Sequence, residues 1–382
     1  MRIKNFQFYD KAFDWKLETT TFSDLTLLVG ISGVGKTQIL DAIWKVREIA
    51  NGRPSNGAQW DIVFSTNGNE YRWTGEYENK SVSEAQIFLW HELLYKKPDI
   101  RIVSEELTVN DQVIVQRNGS EIILRGEKTP RLSPYESVLT ILNQEEDIAS
   151  AYKGFKRIIR SNFSDYRTHM FNIDVMELKK MLKYPSALEE IRESDSDSQL
   201  KIRLVHYLAP DIFDKIKERF IDIFPQVEDI RFEFLKGGDR LSPIFEEYLP
   251  LQIKEKGVEG WIRQERISSG MYKTFMHLSE MFLWPEGTVV LIDEFENSLG
   301  VNCIDVLTED LLQENRGLQF IITSHHPYII NNISPEYWKI VTRKGGVVST
   351  HDAKDLNISD SSHKAFIQLI NLEEYKEGIG VS

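Results

Sequence analysis

The chain has 382 residues, which is enough to bury a sizeable core in about two or three domains, or in one domain with large insertions. Its 41% hydrophobic and 27% charged residues indicate a globular protein, and no segment reaches the ~18 unbroken apolar residues of a membrane span. A net charge of −13 argues against a generally basic nucleic-acid binder, and a single cysteine excludes an intrachain disulfide framework. Because no signal peptide is recognisable, we expect a cytoplasmic protein with no membrane partner.

The first functional pattern joins a predicted strand, residues 22–30, to a predicted helix, residues 38–50. The intervening GISGVGKT matches the phosphate-binding P-loop, G-x-x-x-x-G-K-[ST]. Its glycines allow backbone N–H groups to face a phosphate, Lys36 would neutralise β- and γ-phosphate oxygens, and Thr37 would ligate Mg²⁺. The alternative, a glycine turn with an exposed lysine, does not explain the strand-loop-helix context. The predicted ATP contacts are Gly30, Ser32, Gly33, Val34, Gly35, Lys36, Thr37 and Gln38.

Two insertions follow the predicted helix. Residues 58–130 alternate apolar and polar positions, with Asn-Gly turns between the runs, which predicts an antiparallel β subdomain. Residues 131–261 are largely helical in pattern, and residues 147–163 predict one amphipathic helix. Its polar face would carry Lys153, Lys156, Arg157 and Arg160, either as a solvated surface or as a contact for DNA phosphates or an acidic partner.

A second predicted strand, TVVLIDE at residues 288–294, ends in two carboxylates. Asp293 would hold Mg²⁺ through a water, and Glu294 would polarise the attacking water as a general base. A solvated Asp-Glu turn is the alternative, which the apolar strand makes unconvincing. Asp195 and Asp197 also have a metal-like spacing, but no third ligand supports a site there, so a solvated loop is the simpler interpretation.

A third predicted strand ends in a pair of histidines, His325 and His326. A histidine at this strand end can hydrogen-bond a γ-phosphate and sense its loss, and His325 comes first after the apolar run. A lone histidine would more often be structural. We therefore assign the catalytic role to His325 on its position beside the other motifs.

The small-residue turn ISSGM, Ile267–Met271, opens a further predicted helix just before the acidic strand. The order P-loop, Ser-Ser-Gly helix, Asp-Glu strand and His strand resembles the ABC-type ATPase head shared by SMC and RecF proteins and by the OLD-like ATPases of bacterial defence systems. The turn departs at three of five positions from that family's Leu-Ser-Gly-Gly-Gln signature. A helix N-cap would explain the turn without any nucleotide.

The resemblance implies an α/β fold, an ABC-type P-loop NTPase head in which a mixed sheet is flanked by helices. The head would comprise residues 1–57 and 262–382, with the antiparallel β subdomain at 58–130 and a helical lid at 131–261 inserted into it. In this family two heads sandwich ATP. The resemblance therefore implies a homodimer, or a higher assembly built from it, in which Ser268, Ser269 and Gly270 reach the γ-phosphate bound to the opposite subunit.

Two further site assignments rest on the same resemblance. ENSLG, Glu296–Gly300, is similar to the family's D-loop, which would bring Asn297 and Ser298 near the dimer seam. A glutamine is expected between head and lid, where it senses Mg²⁺ and water, and Gln144 is the candidate for this metal-site residue.

The resemblance implies hydrolysis of ATP to ADP and phosphate, with ATP and Mg²⁺ as cofactors. The favoured function is a sensor or regulator of a separately encoded effector, such as a nuclease, in antiphage defence. A RecF-like DNA-binding ATPase of repair is the alternative, and DNA stays open as a partner. An ABC transporter subunit is disfavoured because the signature is degenerate and the insertions are large. The segment after His325 is too short for a Toprim nuclease, so we expect no nuclease activity.

Overall fold

The structure is a computed structural model that describes residues 1–80, 99–161, 187–194, 196–233, 250–296, 317–358 and 362–372. The chain forms two compact units. Unit 1 comprises Met1–Ser161, Glu286–Phe295 and Leu311–Ser382, and unit 2 comprises Asn162–Pro285 and Glu296–Asp310. Within the described residues, no helix is both long and apolar enough to cross a membrane.

Strands are numbered here along the chain. They are β1 Arg2–Asp10, β2 Trp15–Thr21, β3 Leu25–Val29, β4 Ala58–Thr66, β5 Asn69–Tyr77, β6 Ile102–Val109, β7 Gln112–Asn118, β8 Glu121–Leu124, β9 Glu127–Lys128, β10 Ile158–Ser161, β11 Val227–Phe232, β12 Leu251–Glu255, β13 Trp261–Arg263, β14 Val289–Ile292, β15 Gln319–Thr323, β16 Trp338–Lys344 and β17 Val347–Asp352.

The α-helices are numbered in the same way. They are α1 Lys36–Ala50, α2 Val138–Ile141, α3 Glu146–Lys156, α4 Ala187–Glu193, α5 Ser198–Leu208, α6 Pro210–Ile223, α7 Ser269–Leu283, α8 Pro327–Asn332 and α9 Ser362–Leu369. Short 3₁₀ turns lie at Gln264–Arg266, Pro335–Tyr337 and Ala353–Leu356.

Among the described residues, unit 1 is built on one mixed sheet of 14 strands, in the order β10-β14-β15-β3-β16-β17-β2-β1-β4-β5-β6-β7-β8-β9. The five strands from β10 to β16 run parallel to one another, and β16 pairs with β17 in antiparallel register. Every residue of β3, β14 and β15 is buried, as expected of parallel strands covered on both faces. The predicted fold class, a mixed sheet with flanking helices and a P-loop, is confirmed.

Helix α1 anchors the P-loop to this sheet. Its apolar residues recur at helical spacing, and the side chains of Ile39, Ile43, Val46 and Ile49 are fully buried in the core of unit 1. Because α1 directly follows the loop that leaves β3, packing of this face fixes where the loop's last residues lie.

From β2 to β9 neighbouring strands are antiparallel, as the alternation predicts for residues 58–130, whereas β17 pairs with β2 in parallel. Strands β4 and β5 are joined by Asn67 and Gly68, whose φ angles of 49° and 79° are typical of a type I′ hairpin turn. The buried face carries an aromatic cluster in which Trp73 lies 5.0 Å from Trp60 and 5.1 Å from Phe155 of α3, measured between ring centroids. These contacts fix α3 on the antiparallel strands.

The predicted helix at residues 147–163 is wrong in its second half. Helix α3 ends at Lys156, and Ile158–Ser161 form β10, in parallel register with Val289–Ile292 of β14. A short apolar run such as Ile158-Ile159 satisfies a helical period and a buried strand alike, and pairing with β14 decides the outcome. Residues 131–161, assigned to the lid from sequence, therefore contribute α2, α3 and β10 to unit 1.

Unit 2 combines the helices α4 to α7 with the small antiparallel sheet β11-β12-β13, which the helical pattern did not predict. Phe275 of α7 lies 5.7 Å from Phe220 of α6 and 6.2 Å from Phe232 of β11, measured between ring centroids. This aromatic core holds α7, and with it the ISSGM turn at its N-terminus, in place within the unit.

Candidate functional site

Two glycines of the loop between β3 and α1 are required by their surroundings. A Cβ on Gly30 would lie 2.7 Å from the carbonyl oxygen of Val341. Gly35 has φ +107°, and a Cβ there would lie 2.8 Å from the Val348 side chain. Gly33 differs, since it has φ +88° but a Cβ on it would meet no heavy atom within 4 Å. The loop is thus tightly packed at its two ends and open at Gly33, where Ser32 is also exposed.

The N-terminus of α1 is suited to an anion. Its N-cap is Gly35, no side chain caps the helix, and no acidic residue occupies the first turn. The first N–H groups of a helix and its positive end attract phosphate. Nζ of Lys36 donates to the carbonyl oxygens of Gly30 and Ile31, both at 2.8 Å, so this largely buried amine lies inside the loop.

Asp293 lies just beyond β14 and joins three elements. Its Oδ1 accepts from Oγ1 of Thr37, at the start of α1, at 3.1 Å and from Oγ1 of Thr323, at the end of β15, at 2.7 Å. The parallel register of β14, β15 and β3 brings these side chains to the same edge of the sheet. The structure therefore brings together Thr37 and Asp293, two of the predicted metal ligands.

Glu294 sits in a strained turn beside this cluster. Its φ of 49° is in the left-handed region, which costs a non-glycine residue on the order of 1 kcal/mol or more and recurs at functional sites. The backbone N–H of Glu294 donates to Oγ1 of Thr323 at 2.8 Å. Thr323 consequently links the carboxylate of Asp293 to the backbone of Glu294, and Glu294 is exposed.

Arg160 of β10 adds a cation that the sequence interpretation placed elsewhere. Its Nη1 donates to Oδ1 of Asp41, on α1, at 2.5 Å, and its Nη2 lies 3.7 Å from Oδ2 of Asp293. Sequence reasoning missed Thr323, Asp41 and Arg160 as site residues. The available signal for Thr323 was a hydroxyl at the end of an apolar strand, whereas Arg160 required knowledge that β10 pairs with β14.

The donor set fits magnesium bound together with a nucleotide. Among the described residues, no group of three or more His, Cys, Asp or Glu side chains could hold a metal ion by itself. Mg²⁺ prefers oxygen ligands and commonly takes one or two carboxylates, substrate phosphates and waters. The hydroxyl of Thr37 and the carboxylate of Asp293 supply that chemistry next to the P-loop.

Other predicted site residues lie apart from this cluster or carry other contacts. Gln144 is exposed in the turn between α2 and α3, where its Nε2 donates to Oδ1 of Asn143 at 2.6 Å. No hydrogen bond between described residues joins Gln144 to Thr37 or Asp293. His325 is exposed two residues beyond β15, whereas Nδ1 of His326 accepts from the N–H of Tyr328 at 3.3 Å as the N-cap of α8. The nucleotide role of His325 stays a prediction.

The signature residues lie at the start of α7. Oγ of Ser268 accepts from the N–H of Met271 at 3.3 Å, so Ser268 is the helix N-cap, and its side chain is exposed. Ser269 and Gly270 form the first turn of α7 and are half-buried. The capping role of Ser268 is compatible with a contact between its exposed side chain and a second subunit. Asn297, Ser298 and Asp195 lie outside the described residues.

The predicted basic face of four residues is wrong. Lys153 and Lys156 are exposed on α3, but Arg157 follows the helix and its Nη1 donates to the carbonyl oxygen of Glu286 at 2.9 Å. Arg160 is bound to Asp41. The helix ends before the second pair, so the four charges do not lie on one helix face.

Comparison with known proteins places the chain among ATPases. The family described as "AAA domain, putative AbiEii toxin, Type IV TA system" matches residues 25–331. No curated protein matches the chain.

Three solved structures are similar to the chain in fold. An SMC head bound to the C-terminal winged-helix domain of ScpA has 16% identity and a TM-score of 0.48, covering 92% of this chain and 97% of that one. An SMC head with an extended coiled coil, bound to the C-terminal domain of ScpA derived from Pyrococcus furiosus, has 15% identity and a TM-score of 0.46. The match covers 93% of this chain and 98% of that one. The SMC head from Thermotoga maritima has 16% identity and a TM-score of 0.44, and the match covers 92% of this chain and 99% of that one.

Proposed function

This chain belongs to the family described as "AAA domain, putative AbiEii toxin, Type IV TA system", and we propose that it is an ABC-type P-loop ATPase. It would hydrolyse ATP as a cytoplasmic dimer that regulates a separately encoded effector, such as a nuclease, in antiphage defence. One observation carries the catalytic part. Lys36, Thr37, Asp293 and Thr323 converge where the loop after β3 meets the carboxyl ends of β14 and β15.

We infer the mode of ATP binding from the loop between β3 and α1. The first N–H groups of α1 and the open space at Gly33 receive the phosphates, and Lys36 exchanges its two carbonyl partners for phosphate oxygens. Thr37 and Asp293 would hold Mg²⁺, which would supply positive charge to neutralise the phosphates. The glycine packing at Gly30 and Gly35 keeps these groups in position before ATP arrives.

Hydrolysis requires a base beside the γ-phosphate. Glu294 is next to Asp293 and is exposed at the sheet edge, so its carboxylate takes a proton from the attacking water. Thr323 fixes this arrangement because one hydroxyl group accepts from the backbone of Glu294 and donates to Asp293. His325 is proposed to contact the γ-phosphate from the same strand.

In the proposed dimer, the ISSGM turn has a role in binding the nucleotide of the opposite subunit. Ser268 is exposed at the N-terminus of α7, and a helix N-terminus favours an anion. We propose that Ser268, Ser269 and Gly270 contact the γ-phosphate bound by the opposite subunit, so that each dimer contains two composite sites. Gln144 is retained as a proposed Mg²⁺-sensing residue only for a conformation in which the turn between α2 and α3 moves.

The regulatory part rests on the family description, which names a toxin and a TA system and thereby supports a second protein as partner. ATP-dependent closure of a dimer can control a partner only if open and closed states bind it differently. Salt-dependent DNA binding by the purified dimer would instead favour the RecF-like repair function.

The catalytic assignment is tested with Glu294→Gln. The variant should bind ATP with wild-type affinity and hydrolyse it ~10²–10⁴-fold more slowly, because the general base is lost while the shape is kept. Lys36→Ala should instead lose ATP affinity. Equal kcat values for wild type and Glu294→Gln would reject the role of Glu294.

The composite site is tested by mixing two inactive variants. A Lys36→Ala subunit paired with a Ser268→Arg subunit places both lesions in one site and leaves the other intact. Partial recovery of ATPase activity is expected, with each variant alone as the control. Heterodimers that form and recover no activity would contradict contact in trans.

A further inference from the structure

Arg160 lies between two carboxylates that belong to different elements. Nη1 is 2.5 Å from Oδ1 of Asp41, on α1, whereas Nη2 is 3.7 Å from Oδ2 of Asp293. The first distance is a hydrogen-bonded ion pair and the second is a long approach without a hydrogen bond. The guanidinium is therefore held by Asp41, with Asp293 as its next available partner.

The two oxygens of Asp293 have different surroundings. Oδ1 accepts from Thr37 and Thr323, whereas Oδ2 is the oxygen that faces Arg160. A guanidinium that moved fully onto Asp293 would occupy Oδ2 with a strong charge-assisted hydrogen bond. It would also bring a positive charge closer to the position of a divalent cation, so the carboxylate would bind metal less well.

The backbone keeps Arg160 within reach of both partners. Arg160 pairs with Leu291 in the parallel register of β10 and β14, two residues before Asp293, while Asp41 stands on the first turns of α1 after the P-loop. The side chain of Arg160 is 22% exposed, and its Nε is buried without a hydrogen-bond partner. Its position is thus set by the competition between Asp41 and Asp293 at the other two nitrogens.

We propose that Asp41 is a positioning residue that draws Arg160 away from Asp293 and so keeps this carboxylate available to Mg²⁺. The inference rests on the proposed function, because it concerns the metal that accompanies ATP. Asp41 acts through Arg160 and does not contact the nucleotide. Groups that orient metal-binding carboxylates in this way change metal affinity about 10- to 100-fold when they are removed.

The test is Asp41→Asn, which removes the charge and nearly keeps the shape. Binding of a fluorescent ATP analogue is measured in EDTA and then during titration with MgCl₂. Asp41→Asn should leave binding in EDTA within about twofold of wild type and should raise the Mg²⁺ concentration at half-saturation about tenfold. Because Asp41 is 49% exposed, the variant should stay folded, with a thermal unfolding midpoint close to that of wild type.

The double variant Asp41→Asn with Arg160→Gln identifies the cause. With the guanidinium removed, Asp293 is no longer masked, and the Mg²⁺ midpoint should return towards the wild-type value. The matched control is Asp61→Asn, which breaks the ion pair of Asp61 with Arg72 in the antiparallel strands and should leave the midpoint unchanged.

The outcomes separate the inference from the proposed function. Wild-type protein that binds no ATP, with or without Mg²⁺, overturns both. Intact ATP binding with an unshifted midpoint in Asp41→Asn overturns the inference alone. A shift that persists in the double variant also overturns it, since Asp41 would then act on the metal without Arg160.

Discussion

The parallel and antiparallel halves of the unit 1 sheet use ion pairs in opposite ways. In the antiparallel half, Glu105 of β6 and Arg117 of β7 form a pair whose side chains are 0% and 1% exposed. In the parallel half, Asp41, Arg160 and Asp293 stand at the edge with 49%, 22% and 22% of their side chains exposed. One network is closed by protein atoms, and the other leaves oxygens accessible.

The closed network takes most of its contacts from buried protein atoms, although Nε of Arg117 is buried without a hydrogen-bond partner. Glu105 accepts from Nε1 of Trp73 at 2.9 Å and from the N–H of Val138 at 3.0 Å, and Arg117 donates to the carbonyl oxygens of Ser133 and Glu136. Burial raises the pKa of Glu105 to about 7, so these hydrogen bonds and Arg117 are what favour its charged form. Such a buried network can fix structure, but it has no position for a ligand. The network of Asp41, Arg160 and Asp293 instead leaves carboxylate oxygens where a ligand can reach them.

The largest expected difference between the two halves of the sheet is the loss of stability when one ion-pair partner is removed. Glu105→Ala leaves the guanidinium of Arg117 buried without its counter-ion and should lower the free energy of unfolding by ~3–5 kcal/mol. The folded fraction should bind ATP normally. Urea denaturation of wild type, Glu105→Ala and the exposed-pair control Asp61→Asn measures this difference. A loss below about 1 kcal/mol for Glu105→Ala would break the comparison.

The contrast also explains what could be predicted from sequence. The resemblance to the ABC-type ATPases and the fold class are confirmed, because the P-loop, α1 and the strand before Asp293 carry local signals. The hairpin at Asn67-Gly68 is equally local, since its turn residues specify the φ angles.

Features that depend on pairing between distant strands were missed. Strand β10 has four residues, too few for its period to distinguish it from the end of α3, so Arg160 was assigned to a helix face. Thr323 gained its role only through the register of β15 with β14 and β3. The roles of Glu294, His325, Ser268 and Gln144 stay predictions, because they concern a nucleotide and a second subunit.

An intermediate effect should appear within the parallel half itself. Thr323→Val removes the hydroxyl that orients Asp293 and Glu294 at the carboxyl ends of the strands, so kcat for ATP hydrolysis should fall on the order of ten- to hundredfold. The control is Thr26→Val in β3, whose buried hydroxyl accepts from the N–H of Ser23.

Both variants lose one hydroxyl group and should cost about 1–2 kcal/mol of stability. Only Thr323→Val should slow hydrolysis. Steady-state kinetics together with thermal unfolding separates the two effects, and an equal decline of kcat in Thr26→Val would show that general destabilisation, and not alignment of the acids, is responsible.

The smallest expected effect compares two glycines with nearly the same conformation. Gly33 of the P-loop and Gly68 of the β4–β5 hairpin have φ angles of +88° and +79°, and a Cβ at either position would meet no heavy atom within 4 Å. Alanine at each should therefore cost a similar ~1–2 kcal/mol through backbone strain alone. The effects of the two substitutions on ATP affinity should differ, because a methyl group at Gly33 would project where the phosphates approach the N–H groups, whereas Gly68 belongs to a structural turn.

We expect Gly33→Ala to weaken ATP binding beyond its loss of stability, and Gly68→Ala to leave the affinity unchanged. Denaturation and nucleotide titration of the two variants side by side make this measurement. Wild-type affinity in Gly33→Ala, at the same loss of stability, would mean that the open part of the loop is not the phosphate cradle.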